Sequence, residues 1–101
     1  MINDIIEQKI IDAGLTFPRI SVNDIDKFIK STDYYIFPNS TMTVCMITMT
    51  NDFSIIGESA CASTENFNEE IGREIAYNNA KEKIWPLVGF LLREKLYNAK
   101  R

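Results

Sequence analysis

The stretch FNEEIGREIAYNNAKEKIWPLVGFLL (Phe67–Leu92) carries a long helical pattern that decides how the rest of the chain must pack. Asn66 precedes it as a candidate N-cap, and Glu69, three residues on, completes an arrangement like a capping box. The pattern predicts a helix to about Trp85, and Pro86 then suits the first turn of a further helix. We therefore expect two consecutive helices in the C-terminal part of the chain.

Two faces of the first of these helices lack charge. At about 100° per residue, large apolar side chains form one stripe and small side chains, spaced by four, form a separate column: Phe67, Ile71 and Ile75, and Gly72, Ala76 and Ala80. The small column lets another backbone come close. Because a short chain offers little structure to cover both faces, we expect a homo-oligomer. The alternative is an internal helix packed between a sheet and the C-terminal helix.

The N-terminal part of the sequence predicts two short helices. Apolar residues recur at helical spacing from Ile5 to Ala13, and Gly14 is a suitable stop. The segment SVNDIDKFIK then begins with Ser21 as N-cap, and its apolar residues fall on one face: Ile25, Phe28 and Ile29. The next segment, STDYYIFPNST, reads as an irregular connection whose aromatic residues belong to the core.

Two strands follow this connection. TMTVCMITM (Thr41–Met49) is rich in threonine and apolar residues, and FSIIGESACA resumes that pattern from Phe53. If Asn51 and Asp52 form a two-residue turn, Cys45 faces Glu58 and the two cysteines do not pair. Gly57 indicates either a β-bulge or the close approach of another backbone.

Together these elements predict an α+β fold. We expect residues 1–101 to form a single domain, in which a small antiparallel β-hairpin or sheet packs with about four helices and the chain assembles as a homo-oligomer.

The composition argues against several classes of function. The net charge of −3 does not favour a duplex nucleic-acid binder or an anionic-membrane binder, which needs a basic face. The chain has no histidine, the commonest metal ligand and general base. We therefore expect no metal and no cofactor. No apolar run approaches the roughly 20 residues of a membrane span, and the N-terminus has no signal-peptide pattern, so we expect a cytoplasmic location.

Patterns typical of enzymes are missing from the sequence. There is no nucleophile elbow, no paired-cysteine metal motif, no P-loop and no dinucleotide-binding glycine motif. The carboxylates lack a visible partner in an apolar pocket, so they do not predict glycosidase-like chemistry. The sequence favours binding over turnover, and a small nucleotide hydrolase is the least favoured hypothesis.

Charged and amide residues on the long helix allow two interpretations. Glu70, Arg73, Tyr77 and Lys81 project between the two faces, and Asn78 and Asn79 lie at other angles. They form either a solvated face with helix-supporting ion pairs, or a site whose cations and amides contact a phosphate-containing ligand while an aromatic ring stacks on its base.

Three segments together resemble a known family: FPRISVNDIDKFI, YYIFPNSTMTVCMITMTNDF and IIGESACASTENFNEEIGREIAYNNAKEKIWPLVGFLL. They are similar to the small proteins of tailed phages and prophages called the gene 49 / gene 66 family, from about Thr16 to Leu96. The chain departs from the family where Asn51-Asp52 replaces the common Asn-Gly of the hairpin tip, and where Val88 replaces a frequent glutamate. The first departure favours another turn type.

The resemblance implies a function. The family includes the first described type of Thoeris anti-defence protein, which binds the cyclic ADP-ribose-type signal of a bacterial TIR-domain enzyme without degrading it. Some of these proteins also bind cyclic oligonucleotides at a second site, and they assemble as oligomers, described as hexamers. The resemblance thus implies a phage protein of the host cytoplasm that is not an enzyme and blocks Thoeris-type immunity. The alternative is a phage accessory or structural protein that binds a host protein.

The resemblance also implies roles for particular residues. It assigns Phe67 to stacking on an adenine, Asn78 or Asn79 to the base or ribose, and Arg19 to a second anionic site. The phosphates would be met by Arg73, Lys81 and Arg93. Each residue also has a purely structural interpretation, as a packing residue for Phe67 and as a solvated charge for the arginines.

Overall fold

The chain forms a three-stranded antiparallel sheet with helices before and after it. The computed structural model describes residues 2–13 and 19–100. The elements are, in order, α1 (Ile2–Asp12), α2 (Val22–Lys27), β1 (Ile29–Ile36), β2 (Met42–Met49), β3 (Ser54–Ala60), a short 3-10 helix (Thr64–Asn66), α3 (Glu69–Glu82) and α4 (Ile84–Ala99). The predicted α+β class is confirmed, whereas the homo-oligomer stays a prediction.

The helix signals in the first third of the chain are confirmed where the structure describes them. The hydroxyl of Ser21 accepts a hydrogen bond from the Asp24 amide, and the Asp24 carboxylate accepts one from the Ser21 amide, which completes a capping box. Because Ser21 donates to it from both backbone and side chain, the pKa of Asp24 lies below its ordinary value. The expected stop at Gly14 lies outside the described residues.

β1 corrects the prediction of an irregular connection. It takes Ile29 and Lys30 from the segment assigned to the second helix and residues 31–36 from the predicted connection. It pairs antiparallel with β2 in the sheet order β1-β2-β3. The aromatic residues expected in the core are all exposed, namely Tyr34, Tyr35 and Phe37. β1 is an edge strand with little cover on either face, so its sequence lacks the alternation that identifies a half-buried strand.

The β2–β3 hairpin is confirmed, but its register differs from the predicted one by one residue. Cys45 faces Gly57 rather than Glu58. The turn has three residues instead of two, and only its last residue, Asp52, has a positive φ, of 69°. A two-residue type I′ turn needs positive φ at both positions, so a three-residue loop ending in a left-handed residue forms instead. Cys45 and Cys61 are both free, as expected.

The core lies between one face of the sheet and the helices that cover it. Alternate residues of β2 are buried, and they meet the small residues of α3 and the first turns of α4. Ile25 of α2 is also fully buried in this core. α3 and α4 are consecutive, as predicted, with Pro86 in the first turn of α4, but the break comes at Lys83 rather than after Trp85.

Gly57 shows why α3 packs as it does. A Cβ on Gly57 would lie 2.1 Å from the Ala80 nitrogen and 2.3 Å from the Ala76 oxygen. The strand and the helix therefore approach backbone to backbone, and the small column of α3 is covered by the sheet of its own chain. β2 and β3 pair without a register shift, so of the two interpretations of Gly57 the close approach is correct.

Candidate functional site

A cleft lies between the start of α3 and the end of β3. Phe67, Ile71 and Ile75 line its apolar side, and its volume is about 230 Å³. The ring of Phe67 is half-buried beside Gly72, where a Cβ would lie 3.5 Å from the ring. The remaining lining comes from the two strand ends and the segment before α3: Thr41, Ser59, Ala60, Cys61, Asn66, Asn68 and Gly72.

The apolar stripe of α3 is left uncovered beside this cleft. Ile71 is 55% exposed and Ile75 is 46% exposed, although both belong to a regular, well-packed helix. The small column faces the sheet instead, so one chain covers only one of the two predicted faces. The cleft thus opens directly onto an apolar surface.

The polar groups of the cleft are mostly engaged with the backbone. The Ser59 hydroxyl donates a hydrogen bond of 2.9 Å to the Gly72 carbonyl, and the Thr41 hydroxyl donates to the Cys61 carbonyl. Beneath Gly72, the hydroxyl of Thr43 is fully buried and makes no hydrogen bond with the described residues. The hydroxyls of Ser59 and Thr41 thus bind backbone carbonyls at the two sides of the cleft.

The start of α3 is capped differently from the prediction. Asn68, not Asn66, is the N-cap, and its side-chain oxygen accepts a hydrogen bond of 3.0 Å from the Ile71 amide. The first turn contains Glu69 and Glu70, whose carboxylates complement the positive end of the helix. These carboxylates compete with any anionic ligand for the free amides at this end.

Neither of the predicted cations of α3 lines the cleft. At about 100° per residue, Arg73 and Lys81 share one flank with Tyr77, whereas Ile71 and Ile75 share the other. Lys81 forms an ion pair of 2.6 Å with Asp26 of α2 and lies 5.9 Å from the centre of the Tyr77 ring. Arg73 lies 3.7 Å from Glu69. The ion-pair interpretation of these residues therefore has direct support within one chain.

The predicted amides occupy different environments. Asn79 donates a hydrogen bond of 2.8 Å to the Glu58 carbonyl and so ties α3 to the free edge of β3. Asn78 is half-buried, and the helical angle places it on the same flank as Ile71 and Ile75. Neither amide is among the residues that line the cleft.

The predicted arginines outside α3 lie away from Phe67. Arg19 lines a separate cleft between α2 and α4, with a volume of about 340 Å³. Arg93 is exposed on α4 and lines neither cleft. One chain therefore does not bring the seven predicted residues into a single site.

Two groups of the sheet, the Cys45 thiol and the Tyr34 hydroxyl, have shifted pKa values. Burial raises the pKa of the Cys45 thiol, and partial desolvation, followed by the neighbouring Cys45, raises the pKa of the Tyr34 hydroxyl although the Tyr34 side chain as a whole is exposed. Both groups are therefore neutral at physiological pH, and Cys45 is not an activated thiolate.

Other candidate chemistry is limited in the part of the chain that the structure describes. Residues 2–13 and 19–100 hold no group of three His, Cys, Asp or Glu side chains arranged for a metal ion. In the same residues, every helix falls short of the length and apolarity needed to cross a membrane.

The fold and the cleft define a small α+β protein with an aromatic-lined, open cleft and uncovered apolar surface. The chain belongs to the phage protein (N4 Gp49/phage Sf6 gene 66) family, whose profile matches residues 20–96. The predicted family is thus confirmed. No curated protein and no solved structure matches the chain at a significant level.

The residues that complete the cleft were not among those predicted from the sequence. Ser59 and Thr41 come from the ends of two strands, and Asn68 comes from the cap of α3. A signal for Ser59 exists, because it lies two residues after Gly57 and so shares its face of β3. The contribution of Thr41 depends on the hairpin register, which the sequence did not predict correctly.

Proposed function

We propose that this phage protein binds and sequesters a cyclic ADP-ribose-type signal nucleotide without degrading it, and thereby blocks Thoeris-type immunity in the host cytoplasm. The observation that supports it best is the half-buried ring of Phe67 in an open cleft. An aromatic face stacks on a nucleobase, and base–aromatic stacking contributes about 1–3 kcal/mol per base. Membership of the phage family is consistent with this function.

The size of the cleft favours a site shared between chains. Its volume of about 230 Å³ is below the roughly 300–1,000 Å³ of ordinary ligand pockets. The base of a nucleotide fits, and the rest of the ligand extends over Ile71 and Ile75. A second copy that covers these two side chains would remove apolar surface from water and close the pocket around the ligand.

The positions of the cations lead to the same arrangement. Neither Arg73 nor Lys81 lines the Phe67 cleft, and each forms an ion pair within its own chain. In the proposed homo-oligomer, the base binds beside Phe67 of one copy. Cations of a neighbouring copy then meet the phosphates, where a guanidinium can bind two oxygens at once. A hexamer, as the resemblance implies, would contain several such shared sites.

Sequestration without turnover is consistent with the groups around the cleft. The hydroxyls of Ser59 and Thr41 donate to backbone carbonyls, and the chain contains no histidine to activate them. The proposal therefore contains no bond-breaking step, and the ligand should leave the protein unchanged.

The test is a capture and release experiment. The purified protein is mixed with glycosyl-cyclic ADP-ribose, the protein is retained on a filter, and the retained fraction is heat-denatured. We expect the signal to be missing from the filtrate and to be recovered intact after denaturation. Signal that stays in the filtrate would reject sequestration, and a chemically changed molecule would indicate an enzyme.

The alternative function is that of an accessory protein that binds a host protein. It would use the same uncovered apolar surface beside the cleft. A protection experiment distinguishes the two functions. If the cleft binds the signal, the nucleotide should protect the cysteine of the Ile75→Cys variant from a thiol reagent. Protection that requires host protein and not nucleotide would favour the alternative.

A second ligand, a cyclic oligonucleotide, is a separate proposal that rests on the resemblance and on Arg19. The capture experiment with a cyclic dinucleotide and the Arg19→Ala variant tests it. Since Arg19 lies outside the Phe67 cleft, this variant should still capture the cyclic ADP-ribose-type signal.

A further inference from the structure

The cleft between α2 and α4 combines an apolar floor with a basic rim. Its volume is about 340 Å³, and its apolar lining consists of Ile20, Phe28, Val88, Leu91 and Leu92. Three basic residues and one acid complete the lining: Arg19, Lys27, Lys95 and Asp24. The carboxylate of Asp24 already accepts hydrogen bonds from the amide and hydroxyl of Ser21, at 2.8 Å and 3.1 Å. The rim therefore has an excess of positive charge.

α1 has the opposite character. Its sequence, INDIIEQKIID, contains three carboxylates and one lysine. Three of its apolar side chains are uncovered: Ile5 is 58% exposed, Ile6 48% and Ile11 47%. Within the described residues α1 makes only slight contact with any other element, and none of its described side chains lines the cleft.

A helix in this situation needs a surface to cover it. Isolated helices shorter than about 12–15 residues are marginal in water, and most helical stability comes from packing an apolar face. An acidic amphipathic helix is complementary to such a cleft in two ways. Its apolar face can pack on the apolar floor, and its carboxylates can pair with the cationic rim. A small anion would neutralise the rim but would leave Leu91, which is 48% exposed, in contact with water.

We propose that α1 of one copy lies in the cleft between α2 and α4 of a second copy, so that two chains exchange their N-terminal helices. Residues 2–13 and 19–100 of one chain leave both surfaces uncovered, although Arg19, at the edge of the cleft, follows α1 closely in sequence. A reciprocal exchange covers both surfaces in both chains and closes a two-fold symmetric contact. This contact goes beyond the proposed function, since α1 precedes the residues matched by the family, 20–96.

Disulfide trapping tests the exchange directly. All chains carry Cys61→Ser, and Cys45 is fully buried. Ile6→Cys is placed in a chain with one affinity tag and Leu91→Cys in a chain with another, and the two are co-expressed. We expect a reducible cross-linked dimer that contains both tags. The matched control replaces Leu91→Cys by Glu74→Cys, on an exposed position of α3, and should lose most of the cross-link.

An exchange of charges tests whether electrostatic attraction contributes to the binding of α1 in this cleft. Lys27→Glu together with Lys95→Glu in the Leu91→Cys chain should lower the cross-link yield severalfold at low salt. Replacing the three carboxylates of α1 by lysine in the Ile6→Cys chain should restore it. An unchanged yield would overturn the electrostatic pairing.

Two results would overturn the exchange itself. One is a cross-link that forms within a chain carrying both cysteines but not between the two tagged chains, because α1 would then cover its own cleft. The other is no cross-link in either arrangement, combined with loss of cyclic dinucleotide capture in Arg19→Ala, which would assign the cleft to the nucleotide. Neither result bears on capture at Phe67, so the proposed function is tested separately.

Discussion

Gly57 is the residue on which the packing of α3 depends most directly. Its neighbours across the contact are backbone atoms of Ala76 and Ala80, at 2.1–2.6 Å from the position of a Cβ. Backbone atoms cannot turn away as a side chain can, so a methyl group here must separate the strand from the helix. The same close contact of strand and helix explains why the side chains of Ala76 and Ala80 are small.

Gly57→Ala should therefore destabilise the protein strongly. Overpacking a core costs about 1–3 kcal/mol and sometimes more, and a backbone contact belongs to the upper end of that range. Since about 1 kcal/mol shifts the melting temperature of a domain this size by roughly 4–8 °C, thermal unfolding measures it.

Gly89→Ala is the matched control. A Cβ there meets only the Ile20 side chain, at 3.8 Å, which is ordinary contact. Because Gly89 lies inside α4, alanine should raise stability by up to about 1 kcal/mol through helix propensity. Equal melting temperatures for the two variants would contradict the close approach.

Phe67 carries the proposed ligand site, and Phe67→Ala should weaken capture of the signal nucleotide. The loss of one stacking contact, about 1–3 kcal/mol, corresponds to a rise in Kd of roughly fivefold to 150-fold. Phe90→Ala is the control, since its ring is 67% exposed on α4, away from the cleft. Isothermal titration and light scattering measure affinity and mass. Unchanged affinity, or dissociation of subunits without ligand, would instead make Phe67 a packing residue.

At the scale of elements, the sequence predicted what its local signals determine. Ser21 and Pro86 act through neighbouring backbone groups, so the start of α2 and the first turn of α4 were predictable. β1 was missed because an edge strand such as Ile29–Ile36 has no buried face to impose alternation. The hairpin register was wrong because it depends on the φ of Asp52, and aspartate tolerates several turn conformations.

The start of α3 provides a prediction at the element scale. The sequence pattern favoured Asn66 as N-cap, whereas the structure places Asn68 there, with a hydrogen bond to the Ile71 amide. Asn68→Ala should lower the free energy of unfolding by about 1 kcal/mol, and Asn66→Ala, in the 3-10 helix, should cost less. Urea unfolding measures both. A larger loss of unfolding free energy for Asn66→Ala than for Asn68→Ala would favour Asn66 as the N-cap, as the sequence pattern predicted.

The edge of β3 is protected by side chains of α3. Asn79 and Lys83 donate hydrogen bonds to the carbonyls of Glu58 and Ile56, at 2.8 Å and 2.5 Å. These bonds occupy acceptors that an edge strand would otherwise offer to another chain. We therefore expect self-association through the helix surfaces rather than by extension of the sheet at β3.

For the whole molecule, the sequence predicted the two faces of α3 but not which of them its own chain covers. The sheet of the same chain covers Gly72, Ala76 and Ala80, which the sequence also allowed to be an oligomer contact. The position of the candidate site follows from that choice, because the cleft beside Phe67 forms where α3 meets the end of β3, and neither Arg73 nor Lys81 lines it. Spacing along a helix gives the angles between residues, but only the packing decides which flanks can share a ligand.

Ile75 and Ile56 allow the shared-site arrangement to be tested with one chemical change. Ile75, beside the cleft, is 46% exposed, and Ile56, on the outer face of the sheet, is 48% exposed. A glutamate at either position meets water in the isolated chain, so both variants should fold. If copies meet over the stripe of α3, Ile75→Glu buries a charge at the contact, which is costly without a partner. We expect lower mass by light scattering and weaker capture together for Ile75→Glu, and retained capture for Ile56→Glu. An Ile75→Glu protein with unchanged mass would show that the copies meet elsewhere, whether or not its capture of the nucleotide is impaired.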